Sequence, residues 1–104
     1  MRNYRRKLDI IADILQVAKE NAKKTQIMYQ ANLSYTVLER YLAEVLAASL
    51  ICFENETGCY RLTDKGSKYL DAYKKYSRTH KRIALRLNEA NNRKKVLEKM
   101  CRGK

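Results

Sequence analysis

The chain has 104 residues, 45% of them apolar, with 23 Lys/Arg against 11 Asp/Glu, one histidine, three cysteines and no proline. That length holds one domain with room for an appended element, and a net charge of +12 points to a polyanionic partner. No apolar run approaches the ~18 residues that span a bilayer, no signal-peptide pattern opens the chain, and Cys52, Cys59 and Cys101 are too few and too irregularly spaced for a disulfide framework or a zinc site.

An intracellular protein without metal or cofactor is therefore expected. Its charge is unevenly distributed. Residues 1–24 hold seven Lys/Arg against three Asp/Glu, residues 25–76 six against six, and residues 77–104 ten against two. A neutral middle between two cationic arms suggests a compact reader flanked by electrostatic grips. So small a domain also gains from association.

In chain order, Arg2, Arg5, Arg6 and Lys7 form a basic arm. Leu8, Ile11, Ile14, Leu15 and Ala18 then recur at helical spacing and predict an amphipathic helix over 5–21. Thr25 is a capping residue for a short second helix with Ile27, Met28 and Ala31 inward. Asn32 tolerates the left-handed conformation that ends a helix, and Leu33 can plug the turn. Ser34 is a second N-cap, opening a third helix through Ser49 that buries Leu38, Tyr41, Leu42, Val45 and Leu46. Residues 50–53 and 59–62 are β-prone and flank a turn at 54–58, in which Gly58 is available for a positive φ. Thr63 caps a last helix. The predicted fold class is mostly α with a small β-hairpin (α+β). It comprises a winged helix-turn-helix over 1–66, basic arm included, followed by a long basic helix over 67–104.

The stretches KKTQIMYQANLSYTVLERYL and CYRLTDKGSKYL carry a resemblance. The matching residues are Lys24-Thr25, Ile27-Met28-Tyr29, Ala31 through Tyr35, and Tyr60, Leu62, Thr63, Lys65 and Gly66 after the hairpin. Through them the chain resembles the archaeal winged-helix proteins that include small chromatin-associated dimers. The resemblance implies DNA binding, and a last helix that pairs two subunits as an antiparallel coiled coil.

The last helix can also be read by itself. From Gly66 to Met100 it meets no proline and no interior glycine, and such a helix runs roughly 50 Å, too long for one small domain to cover. Tyr69, Tyr76, Ile83, Ala90 and Leu97 repeat every seven residues. Tyr73, His80, Leu87 and Cys101 interleave, with Lys94 the exception. These are the d and a positions of a two-stranded seam. A parallel pair would stack tyrosines on their own copies and Lys94 on Lys94. An antiparallel pair centred near Ile83 sets Tyr76 opposite Ala90 and brings Tyr73 towards Lys94, as dense packing and cation–π attraction favour.

No Gly-rich phosphate loop or nucleophile–base pair is visible, and a single histidine at a seam position reads as packing. The expectation is a non-enzyme. For nucleic acid, the start of the third helix supplies the base-edge candidates: Ser34, Tyr35, Thr36, Glu39 and Arg40. Arg40 suits guanine or phosphate, whereas Glu39 suits a cytosine amine or a neighbouring cation. Lys23, Lys24, Thr25, Gln26 and Tyr29 flank the second helix, where phosphates pass. Arg5 and Arg6 extend from the arm. The wing tip, Glu54 to Gly58, is acidic, and only Arg61 on the second strand offers a cation.

The expected partners are double-stranded DNA and a second copy of the chain, with no membrane and no small-molecule ligand. The expected role is architectural and nucleoid-associated, with weak sequence preference. A sequence-specific repressor is the alternative, and a protein-interaction module or an RNA binder stands behind it.

Overall fold

The computed structural model describes residues 5–102, in the order α1 (Lys7–Ala18), α2 (Lys24–Gln30), α3 (Tyr35–Ala47), β1 (Ile51–Glu54), β2 (Cys59–Leu62) and α4 (Asp64–Arg102). Helices with one antiparallel hairpin make a winged helix-turn-helix followed by a long C-terminal helix. Two compact units divide the chain, one running through Tyr73 and the other from Lys74.

α1 buries Ile11, Ala12, Ile14, Leu15 and Ala18, as its spacing predicts. Leu8 does not follow the stripe and is 44% exposed in the first turn. The helix is shorter than 5–21. It begins after Arg6, whose backbone N–H donates to Asp9 Oδ2 at 3.0 Å. It ends before Asn21, which takes φ 56°.

α2 opens one residue before the expected cap. Lys23 is the N-cap and no side chain caps the helix, so Thr25 lies inside the first turn. Its far end is closed as Asn32 predicts: Asn32 has φ 55°, Leu33 N–H donates to Met28 O (3.0 Å) and Asn32 N–H to Tyr29 O (3.2 Å). That pair of bonds is a Schellman closure, which uses the left-handed residue to satisfy carbonyls the helix leaves unpaired. The Ser34 side chain then accepts from Val37 N–H, and α3 buries Leu38, Tyr41, Leu42 and Val45. α3 stops at Ala47, short of Ser49. Ser49 takes φ 63° and repeats the closure, with Leu50 N–H on Val45 O (2.9 Å).

In the hairpin Ile51 pairs Leu62, Cys52 pairs Arg61, Phe53 pairs Tyr60 and Glu54 pairs Cys59. Its first strand begins one residue later than its β-prone run. Gly58 takes φ 70°, the left-handed value a tight turn demands. The segment before α2 joins the sheet as a one-residue third strand: Ala22 N–H donates to Tyr60 O (3.0 Å) and Tyr60 N–H to Ala22 O (2.8 Å). Hydropathy gave no sign of that bridge.

Thr63 caps α4, its hydroxyl oxygen accepting from Gly66 N–H at 3.0 Å. The same oxygen lies 2.7 Å from Ser49 O and 3.0 Å from Leu50 O. Lys65 Nζ donates to Ala48 O at 2.8 Å, so the end of α3 is held from α4. Glycine is required at 66, because a Cβ there would stand 2.1 Å from Leu50 O and 2.6 Å from Leu62 Cδ1.

The core gathers Ile14, Leu15, Ile27, Leu38, Val45 and Ile51 with their neighbours, and Leu70 closes it from α4. Tyr69 and Tyr73, read from the heptads as seam residues, pack against this core. Tyr69 Oη donates to Leu8 O at 3.3 Å, and Tyr73 Oη donates to Asp9 Oδ1. The first unit therefore extends past the expected boundary at 66, to Tyr73.

Beyond Tyr73 the described residues of the helix are exposed, Ser77 alone being half-buried. Ile83, Leu87 and Leu97 are 57%, 59% and 63% exposed, although all three are large apolar side chains that fold to bury surface wherever a partner exists.

Candidate nucleic-acid interface

The turn between α2 and α3 is fixed by the Asn32 closure on one side and the Ser34 cap on the other. Both are local backbone devices, so the relative setting of the two helices is encoded within a few residues. Burial of Leu38, Tyr41, Leu42 and Val45 leaves Ser34, Tyr35, Thr36 and Arg40 solvent-facing. On α2, burial of Ile27 leaves Thr25, Gln26 and Tyr29 exposed, with Lys23 beside them. Tyr29 and Tyr35 are 78% and 60% exposed. Tyr35 thus lies at the surface.

One pair of charges on this face is engaged. Lys24, the first residue of α2, donates to Glu39 Oε2 on α3, and its ammonium also lies 5.0 Å from the centre of the Tyr35 ring. The bond from Lys24, reinforced by one from Tyr35, holds the Glu39 carboxyl below the usual carboxylate range. The bond to Glu39 raises the Lys24 ammonium above its usual value. Of the two sequence readings of Glu39, the structure adopts the neighbouring cation. Arg40 is exposed. Its guanidinium lies 4.9 Å from the Tyr41 ring centre, and Nη2 donates to the Tyr41 hydroxyl at 3.0 Å. It remains the cation of α3 that no carboxylate holds.

Two other expected DNA contacts do structural work instead. Arg5 Nη1 pairs with Asp13 Oδ2 at 2.7 Å and also donates to Ala31 O, while Nη2 donates to Asn32 O, both at 2.7 Å. One guanidinium thus ties α1 to the carbonyls at the end of α2, a use that its five-donor fork permits. Arg61 pairs with Glu54 at 3.5 Å and lies 3.7 Å from Cys52 Sγ, so the wing's cation is spent within the wing. Lys7 pairs with Glu44 at 2.6 Å, and Glu44 raises the Lys7 ammonium. Arg6 is exposed, and Arg2 lies outside the described residues. Sequence reading missed the Arg5 clamp because its partners lie 8, 26 and 27 residues away, and no periodicity reports such contacts.

Among the described residues, no group of three or more His, Cys, Asp and Glu could hold a metal, and no helix is long and apolar enough to cross a membrane. The cysteines carry no disulfide; Cys52 and Cys59 are half-buried and Cys101 is exposed. On the long helix, the Tyr76 and His80 rings lie 5.7 Å apart.

Comparison with known proteins agrees with this geometry. A family model described as winged helix-turn-helix matches residues 4–81. No curated protein matches the chain. Among solved structures, the fold is similar to that of Sso10a-2, a DNA-binding protein from Sulfolobus solfataricus, with a TM-score of 0.65 and 24% sequence identity. The match covers 90% of this chain and 95% of that one.

Proposed function

We propose, from the premise that the chain belongs to the winged helix-turn-helix family, that it binds double-stranded DNA as a homodimer with weak sequence preference. The observation that carries this reading is the solvent-facing start of α3, with Ser34, Tyr35, Thr36 and Arg40 exposed beside the exposed flank of α2. A recognition helix docks through those positions. Sso10a-2, similar in fold over nearly its whole length, is a DNA-binding protein.

Weak preference follows from what the face offers. Base readout relies on unpaired donors and acceptors that match base edges. Here Lys24 and Glu39 occupy each other and Arg61 is held by Glu54, which leaves Arg40 as the main base reader. Affinity then comes chiefly from phosphate contacts and counterion release. The reading is of an architectural, nucleoid-associated binding protein with no catalytic step.

Homodimerisation is supported by the apolar stripe that one chain leaves exposed. Tyr69 and Tyr73 serve their own domain, so the seam starts at Tyr76, and a-to-d layers of an antiparallel pair set Ile83 against Leu87 of the second copy. His80 then meets Ala90 and Tyr76 meets Lys94, one layer on from the register centred at Ile83. His80 faces a small residue, and the lysine still meets a ring.

The test is a gel-shift titration of unrelated DNA duplexes, single strands and duplex RNA over a range of salt. The expected result is duplex binding at about 50 mM salt that weakens steeply by about 200 mM and varies little between sequences. No duplex binding at low salt overturns the reading. A large preference for one duplex converts it to that of a gene-specific regulator.

A further inference from the structure

The helix-turn-helix face holds one of its candidate phosphate-contacting cations in an ion pair. Lys24 opens α2, at the position where the DNA backbone passes a docked helix-turn-helix. Its ammonium is bonded to Glu39 and set over the Tyr35 ring, and Tyr35 and Glu39 are two of the candidate readers at the start of α3. The pair is not buried: the Lys24 and Glu39 side chains are 36% and 43% exposed. Solvent and ions reach both partners, so a phosphate oxygen can compete for the ammonium.

We propose that Glu39 limits the affinity of this protein for DNA by occupying Lys24. The inference rests on the DNA-binding reading above and deepens it. When a duplex docks, Lys24 passes from the carboxylate to a phosphate, and the Coulomb attraction lost to Glu39 cancels much of what the phosphate supplies. Glu39 is then left as an unpaired anion against a polyanion. The other pairs on the domain differ in one respect. Lys7–Glu44, Arg5–Asp13 and Arg61–Glu54 do not join the two helices of the helix-turn-helix across its outer face, whereas Lys24–Glu39 does. The Tyr35 ring keeps Lys24 in place when the carboxylate is removed, because cation–π attraction does not need Glu39. A freed Lys24 therefore stays preorganised for phosphate.

The perturbation is Glu39→Gln, which preserves shape and removes charge. With the carboxylate charge gone, the Lys24–phosphate contact is no longer cancelled, and one net neutralised phosphate steepens the log-affinity against log-salt slope by about 0.9. A contact whose worth vanishes near 1 M salt then tightens duplex binding roughly fifteenfold at 0.05 M and roughly fourfold at 0.2 M. The gain is expected on unrelated duplexes alike. In a Lys24→Gln background the same Glu39→Gln change should give a distinctly smaller gain, because only the field of the unpaired carboxylate is then removed and the Lys24-mediated part is lost.

Melting curves establish that each variant is folded, and gel shifts on the full-length protein supply the affinities. An equal gain with and without Lys24 overturns the proposal, because Glu39 would then act only as a field charge. Unchanged affinity on Glu39→Gln also overturns it. So does weaker binding confined to one preferred sequence, which would make Glu39 a base reader. If the unmodified protein fails to bind duplex DNA at low salt, the DNA-binding reading falls instead, so the two failures are distinguishable.

Discussion

Replacing Gly66 with alanine tests how α4 is seated on the domain. A Cβ at this position would stand 2.1 Å from the Leu50 carbonyl oxygen and 2.6 Å from Leu62 Cδ1, where ordinary contact begins at 3.4 Å. The nearer atom is backbone, held at the end of the α3 closure by Leu50 N–H on Val45 O and engaged by Thr63. Relief requires a shift of about 1 Å between α4 and the α3–β1 link, an overpacking that costs ~1–3 kcal/mol in a dense core. Loosening the Thr63 bonds adds about 1 kcal/mol. The helix preference of alanine over glycine returns at most ~1 kcal/mol. The expected net loss is about 2 kcal/mol, or roughly 8–16 °C in Tm for a domain of this size. Thermal and urea unfolding followed by circular dichroism at one fixed protein concentration measures it, since the proposed dimerisation would make Tm depend on concentration. Gly58→Ala is the control. It meets nothing within 4 Å but has φ +70°, so it pays only the left-handed penalty of ~1–2 kcal/mol without displacing α4. A Gly66→Ala protein as stable as the parent, or more so, would refute the close-approach argument and make Gly66 an ordinary helical glycine.

Arg5→Ala should lower stability by about 1–2 kcal/mol, a charged-donor value discounted for partial exposure, and Arg5→Lys should fail to restore it because an ammonium cannot span Asp13, Ala31 and Asn32; full rescue by lysine in a urea titration would count against the clamp. Burial, with a contribution from the Asp9 charge, raises the Tyr69 hydroxyl above its ordinary value of 10.0. Its folded-state value thus exceeds the unfolded one, so its share of stability is intact below pH 10 and is lost as pH rises through the raised value. Tyr69→Phe should accordingly flatten the alkaline decline of Tm, and an unchanged alkaline limb would remove that assignment. Ile83→Asp places a charge in the proposed seam and should give a monomer in sedimentation, whereas an intact dimer would remove the coiled-coil reading. Arg40→Ala should alter preference among duplexes, while neutralising Arg93, Lys94 and Lys95 should weaken all duplexes alike and reduce the salt slope; the opposite pattern in gel shifts would exchange the two roles.

Much of the fold is readable from the residues alone because it rests on local devices. The buried stripe of α3, the Ser34 cap, the left-handed Asn32 and the positive φ of Gly58 all express preferences of single residues or of neighbours one or two turns away. Misreadings cluster at boundaries, where backbone competition decides. Lys23 and not Thr25 precedes α2, and Ser49 ends α3 although nothing about serine announces a positive φ. Leu8 follows the α1 stripe in sequence yet stays exposed in the first turn.

The candidate site is less legible for a different reason. Residue type identified Lys24, Tyr35, Glu39, Arg40 and Arg5 as able to meet DNA, but not which of them were already engaged. Lys24 and Glu39 are 15 residues apart, Arg5 and Ala31 are 26, and Asp9 and Tyr73 are 64. Periodicity carries no information at those separations, since they are created only when helices dock. The sequence by itself determined the helix-turn-helix, the hairpin and the basic last helix, because hydrophobic period and capping act within a few residues. Only the tertiary structure decided that Arg5 clamps α2, that Lys24 is held by Glu39, and that Tyr69 and Tyr73 serve their own domain, because each of those pairings depends on distances that exist only in the packed chain.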